Sequence, residues 1–220
     1  YLRYYISALR LSGFPFAHQT LGSCIVVRSS IYQQSGGMNT RKAGEDFYFL
    51  NKIIPLSGFV EINSTTVFPS DRISDRVPFG TGNAIRKLSE ISTYHVYNPN
   101  TFKDLSLFFD QIDQYWFEKE VTVPNSIEMF LDGCFTDHIR NLKSQTASYE
   151  TFRKRFFHWF DAFKILKYVH FSRDHFYPDV PLVEVIKWLE QYIGSLPANL
   201  EACLLKLRSI DRRGVLNQIK

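Results

Sequence analysis

From Asn98-Pro99-Asn100 to the C-terminus, apolar residues recur at helical spacing, and this constrains the fold more than any other feature of the chain. The clearest stretch is Phe152, Phe156, Trp159, Phe163 and Leu166, separated by alternating gaps of four and three. On a helix of about 3.6 residues per turn, these positions make one broad apolar stripe. The same periodicity predicts helices over residues 102–117, 126–143, 149–169, 182–193 and 200–216. Such stripes become either a core or a surface for a partner, and core is their ordinary fate. Aromatic residues make up 16% of the chain, with 20 Phe, 12 Tyr and 3 Trp, which suits a core built between helices. They also suit the lining of a sugar site, and composition does not separate the two uses.

The first hundred residues mix periods. Residues 1–12 read as helix until Gly13-Phe14-Pro15-Phe16 breaks the pattern. Leu21 to Val27 is a short β-branched run and predicts a buried strand. A helical turn over 29–34 leads into Gly36-Gly37, and a helix over 45–54 ends at Pro55. Alternation predicts strands over 59–62 and 65–68, around Asn63-Ser64. Residues 69–82 carry too many polar and breaker residues for a regular element, and a helix resumes over 83–91. The expected class is therefore α+β and mostly α. A small mixed sheet region occupies residues 1–98, and an all-helical region occupies 99–220.

At 220 residues, with 45% hydrophobic and 22% charged residues, the chain can bury a sizeable core as one large domain or two small ones. Its formal charge of +4 is mild, and Arg153, Lys154 and Arg155 are followed and preceded by acids elsewhere rather than extended into a block. That argues against nucleic acid as a partner. No apolar run approaches the roughly 20 residues of a membrane-spanning helix. Cys24, Cys134 and Cys203 are widely spaced and unpaired by motif, which points to reduced thiols and a cytoplasmic setting. The sequence opens at Tyr1 inside an uncapped helical pattern, so we expect an excised piece of a longer polypeptide.

The residues with the most chemical promise run from Gly36-Gly37 to Lys52. Gly44-Glu45-Asp46 opens an amphipathic helix, and acids there either complement the helix macrodipole or present a carboxylate to a cleft from a rigid element. His18 precedes the expected strand and would face an acceptor or a metal, or serve as a hydrogen-bonded structural histidine. Arg72 and Arg76 stand four apart on the breaker-rich segment. Their guanidinium forks would either match phosphate oxygens or pair locally with Asp71 and Asp75. Gly80, Thr81 and Gly82 would open backbone amides toward an anion at a helix start, or simply make a turn. His170 and His175 flank Ser172-Arg173-Asp174 with a spacing of five that suits no common metal motif.

Taken in order, His18-Gln19-Thr20-Leu21-Gly22-Ser23, the expected strand, Arg28, Tyr32, Gly36-Gly37, Ala43-Gly44-Glu45-Asp46-Phe47-Tyr48-Phe49-Leu50, Thr65-Thr66-Val67 and Ser74-Asp75-Arg76-Val77-Pro78-Phe79-Gly80-Thr81-Gly82 carry a family resemblance. The set resembles the acceptor-binding half of family 2 glycosyltransferases, which have a GT-A type nucleotide-sugar fold. It covers about residues 15–90. The resemblance implies that Asp46 is the general base that deprotonates the acceptor hydroxyl, with Glu45 beside it. It implies that Arg72 and Arg76 neutralise the leaving nucleotide diphosphate, and it places His18, Gly80 and Thr81 near substrate. The implied partners are a nucleotide-sugar donor and a hydroxyl acceptor, glycan or lipid-linked. Such enzymes hold the donor through Mg²⁺ or Mn²⁺ at an Asp-x-Asp element, and none occurs in these 220 residues. Asp110 and Asp113 are one position too far apart. We therefore expect no metal ligand set in this segment, the cation belonging to a donor half outside it, and no activity from the segment alone. The alternative is a non-catalytic helical interaction module.

Overall fold

The computed structural model describes residues 1–40, 44–68, 93–117 and 119–214. Among these the chain is mostly helical, with one small two-stranded antiparallel sheet. It divides into two compact units, one formed by Tyr1–Ala17 with His95–Lys220 and the other by His18–Tyr94. The expected boundary at residues 98–100 lies just past the observed one. The first helix belongs with the helical unit, not with the mixed region that follows it in sequence.

In the helical unit, α1 (Leu2–Leu11) packs on α4 (Pro99–Phe109). It is also tied to α11 (Leu200–Arg212), where Asp211 accepts from Arg3 and, at 3.1 Å, from Arg10. The Arg10 guanidinium is almost wholly buried and also donates to the Ala17 carbonyl at 3.0 Å. Between them run α5 (Ile112–Trp116), α6 (Asn125–Leu131), α7 (Phe135–Ser144), α8 (Tyr149–Trp159), α9 (Ala162–His175) and α10 (Leu182–Ile193). Three of the long helices expected from periodicity are each broken in two, and two of the breaks have a local cause. The 102–117 stretch stops at Asp110 and restarts at Ile112. The 126–143 stretch turns at Asp132 and Gly133, both at positive φ, where glycine is at ease and aspartate is tolerated. The 149–169 stretch breaks at Phe160, and the Asp161 carboxylate then caps the new helix by accepting from the Lys164 amide at 2.9 Å.

That last break resets the apolar register. Phe152 and Phe156 are fully buried, as the stripe predicts. Beyond the break, Ile165, Tyr168, Val169 and Ser172 face the core, while Phe163 and Leu166 are half-buried. The core is aromatic: Phe108 lies 5.1 Å from Phe160, 5.4 Å from Phe135 and 5.6 Å from Phe156, centroid to centroid. Buried hydroxyls are partnered across helices. The Ser126 hydroxyl meets the Tyr168 hydroxyl at 2.8 Å and the Asp104 carboxylate, and Thr101 meets Ser172 at 2.9 Å. The sheet joins β1 (His95–Val96) to β2 (Val180–Pro181) within this unit, a pairing that periodicity does not predict.

In the second unit the described regular elements are α2 (Ser29–Gln34), α3 (Glu45–Ile53) and two 3₁₀ turns, Gly22–Cys24 and Ile54–Leu56. The strands expected over 21–27, 59–62 and 65–68 are not formed. Leu21 and Ile25 keep extended dihedrals around the 3₁₀ turn, and residues 59–62 and 65–68 carry no ladder. Nor is the first of these runs buried, since Val26 is 94% exposed. A strand needs a neighbour for its amides and carbonyls, and no described residue supplies one to these segments. The helix expected over 83–91 lies outside the described residues. Among the described residues, no helix is long and apolar enough to cross a membrane.

Candidate functional site

Helix α3 places the carboxylate pair as the sequence predicts, at the mouth of a helix. Gly44 precedes it with φ of 76°, a left-handed conformation that suits glycine, and Glu45 and Asp46 occupy the first turn. Both acids are half-buried. At this end of a helix the first-turn amides lack intrahelical acceptors, so negative charge is favoured. Asp46 uses that situation directly. Its Oδ1 accepts from the Phe47 amide at 2.7 Å, and its Oδ2 accepts from the Gly22 amide at 2.9 Å.

The contact with Gly22 is close enough to demand glycine. A Cβ there would stand 2.9 Å from the Asp46 Cβ and 3.1 Å from its Oδ2. The segment His18–Ser23 is thus held to the start of α3 through one amide and one carboxylate. The other end of α3 is braced as well. Lys52 donates to the Ser35 carbonyl at the end of α2, and the Tyr32 ring lies 5.4 Å from that of Phe49. Tyr32 also packs against Gly37, where a Cβ would come within 3.1 Å of the ring. Phe49 and Leu50 supply the buried face of α3. Asp46 therefore sits on a helix fixed at both ends, as a positioned base requires.

A carboxylate oxygen has two lone pairs, so one direction on each Asp46 oxygen remains beyond the two backbone amides. Glu45 makes no hydrogen bond or ion pair among the described residues. His18 has partners within its own unit. Its Nδ1 lies 2.9 Å from Glu61 Oε1, and its ring lies 4.4 Å from Phe59. Its described partners are thus a carboxylate and an aromatic ring of its own unit. Arg72, Arg76, Gly80 and Thr81 lie outside the described residues. Of the predicted site, Glu45 and Asp46 stand together on α3, and His18 meets Glu61.

Two contributors were not singled out by the sequence. Gly22 stands inside the His18–Ser23 run, and the one signal it offers is the absence of a Cβ. Glu61 stands in an extended stretch with no motif, and nothing in the sequence couples it to His18. Among the described residues, no three His, Cys, Asp or Glu side chains gather as a cation site, so the divalent ion implied by the resemblance has no ligand set there. His170 and His175 do not converge on a cation either. His170 Nε2 lies 2.9 Å from the Tyr97 hydroxyl, and His175 rests on the Phe171 ring at 4.5 Å. Burial and the Arg173 cation hold the His170 pKa below the ordinary histidine value. No family model matches the chain, and no curated protein or solved structure matches it either.

Proposed function

We propose that this chain carries the acceptor side of an inverting glycosyltransferase acting from a nucleotide-sugar donor, with Asp46 as the general base. The observation that carries the reading is the position of Asp46, half-buried in the first turn of α3 and aimed by the Gly22 amide. In an inverting transfer the acceptor hydroxyl attacks the anomeric carbon opposite the nucleotide, and its proton passes to a positioned carboxylate. Such a base contributes about 10²–10⁴-fold to the rate. Glu45, one residue before it, would orient the acceptor. The donor's diphosphate and its cation would be held by residues other than the described ones, with Arg72 and Arg76 on the leaving group. Val26, Val60, Ile62 and Phe68 are 94%, 74%, 64% and 89% exposed, and this apolar surface on extended chain supports a further layer of structure against this unit.

The test uses the longest natural polypeptide that contains this sequence, assayed for transfer from a panel of nucleotide sugars. Asp46→Asn cannot take a proton, and its single oxygen serves only one of the two amides that Asp46 accepts from, Gly22 or Phe47. The expected result is a loss of about 10²–10⁴-fold in turnover, with a stability loss on the order of 1 kcal/mol that leaves the chain folded at the assay temperature. Turnover within a few-fold of wild type would remove Asp46 from the chemistry.

A second reading, a non-catalytic interaction module, is favoured by a different aspect of the same geometry. Both Asp46 oxygens already serve backbone amides, which is a sufficient structural use for an acid at this position. Under that reading no nucleotide sugar binds the intact polypeptide, and Asp46→Asn acts only through stability.

A further inference from the structure

We propose that the groove between α1, α4 and α10 in the helical unit binds a monocarboxylate with an apolar tail, such as a medium-chain fatty acid. The groove has a volume of about 350 Å³. That volume is at the small end of ordinary ligand sites. Ala8 and Leu11 of α1, Phe102 of α4 and Trp188 of α10 are all buried and line it, and Leu107 and Tyr192 stand more exposed beside them. Polar groups are few, and their positions decide the ligand. The Ser12 hydroxyl is spent on the Leu9 carbonyl at 2.8 Å. It therefore offers the tail no hydroxyl proton.

At the rim, Lys103 is exposed and makes no ion pair or hydrogen bond among the described residues. Ser106 lies next to it on α4, one helical turn on, with its hydroxyl toward Asp110 at 3.4 Å. The charged side chain of the lining is thus a cation toward the start of α4. An anionic head would settle at Lys103, with the tail along the apolar wall. One ammonium suits a single carboxylate. A phosphate head, with more charge and more acceptor oxygens, would call for a further cation or an arginine fork, and no other charged residue lines the groove. The tail would displace water from Leu107, which is 56% exposed, and from the Tyr192 ring, at 40%.

The probe is sodium decanoate, used below its micellar concentration and titrated into the chain by calorimetry and by tryptophan fluorescence. Saturable binding is expected, with a fluorescence change that disappears in Trp188→Phe. Decanol, of equal tail and no charge, should bind about tenfold more weakly or worse, and Lys103→Met should weaken decanoate by a similar factor. Lys103 is exposed, so that variant keeps its fold, and circular dichroism verifies it. Leu107→Asp should abolish binding by placing an acid on the apolar wall. Equal affinity for decanol and decanoate, undiminished binding by Lys103→Met, or no saturable binding at all would overturn the proposal.

Discussion

The helical unit and residues 18–94 answer the same problem, what to do with apolar side chains, in opposite ways. In the helical unit the large residues are inside. Phe102, Leu105, Phe108, Phe152, Phe156, Phe160, Ile165 and Tyr168 are all at most 1% exposed. Among the described residues of 18–94, the buried apolar side chains are Phe49, Leu50 and Ile54, while Val26 and Phe68 stand almost fully in solvent. The difference follows from the backbone. A helix satisfies its amides and carbonyls within itself, so a helical stripe needs only another stripe to become core. An extended segment needs a neighbouring strand before its side chains acquire a face to bury. A unit made largely of extended segments is therefore more dependent on what lies beside it.

Substitution of large residues tests this contrast most directly. The rings of Phe108, Tyr115, Phe152, Phe157, Trp159 and Phe160 surround Phe156, with centroids between 5.5 and 6.5 Å away. Phe156→Ala should cost about 3–5 kcal/mol in urea or guanidinium unfolding, the range for a buried phenylalanine that leaves a cavity. Val60→Ser, at a site 74% exposed, should stay within about 0.5 kcal/mol. Similar costs at the two sites would break the comparison.

Next in size is the link between the first and last helices of the helical unit. Asp211 answers Arg3 and Arg10, and burial holds the Arg3 pKa below its usual value against the attraction of that carboxylate. Asp211→Ala leaves a buried Arg10 guanidinium short of a countercharge. The expected loss is about 3 kcal/mol, at the lower end for a broken buried pair because Arg3 is partly solvated. Far-UV circular dichroism against denaturant measures it. A loss below about 0.5 kcal/mol would mean that α1 is held to the helical unit by apolar packing alone.

The same division explains what the sequence makes legible. The helices of the second half follow from residues three and four apart, because a helix is a local structure whose inward face is written in its own spacing. Their breaks are legible only in part. Asp132-Gly133 is a visible turn, but the stop at Phe160 depends on how Asp161 caps the helix that follows, and a continuous apolar stripe hides it. The strands expected over 21–27, 59–62 and 65–68 fail because β-branched alternation specifies a face and not a partner. Of the candidate site, Glu45 and Asp46 at the mouth of α3 were legible from Gly44 and the apolar residues after them. The tether from Gly22 and the pairing of His18 with Glu61 were not, since both join residues far apart in sequence and neither alters any local pattern.

The Gly22 tether sharpens the comparison on the side of the second unit. An added methyl at residue 22 would meet the Asp46 Cβ at 2.9 Å, so Gly22→Ala must push the 3₁₀ turn away from α3 or strain the Asp46 side chain. Overpacking of this kind costs about 1–3 kcal/mol. Because the displaced group is a backbone amide, the change should also raise the hydrogen-exchange rate at Gly22 and Phe47 while amides of α9 stay protected. Unaltered exchange at Gly22 would show that the tether does not order the segment.

The smallest effect belongs to pH, and it falls on the helical unit. His138 stacks on Trp159 with centroids 4.1 Å apart, and the Lys164 ammonium lies 3.9 Å from the same indole. Burial first, and the Lys164 charge second, hold the His138 pKa below the ordinary histidine value. The unfolded chain, with its histidines near about 6.5, then takes up protons that the folded chain refuses. Stability is therefore complete above that value and declines as pH falls through it, until the folded histidine protonates as well. His170, lowered by burial and by Arg173, adds in the same direction. Unfolding midpoints in urea between pH 5 and 8 should fall on the acid side, and His138→Phe, which keeps an aromatic stack and removes the titration, should flatten part of that slope. A wild-type midpoint that rose on acidification from pH 7 to 6, or an unchanged slope in His138→Phe, would mean that the imidazole is not held neutral against Trp159.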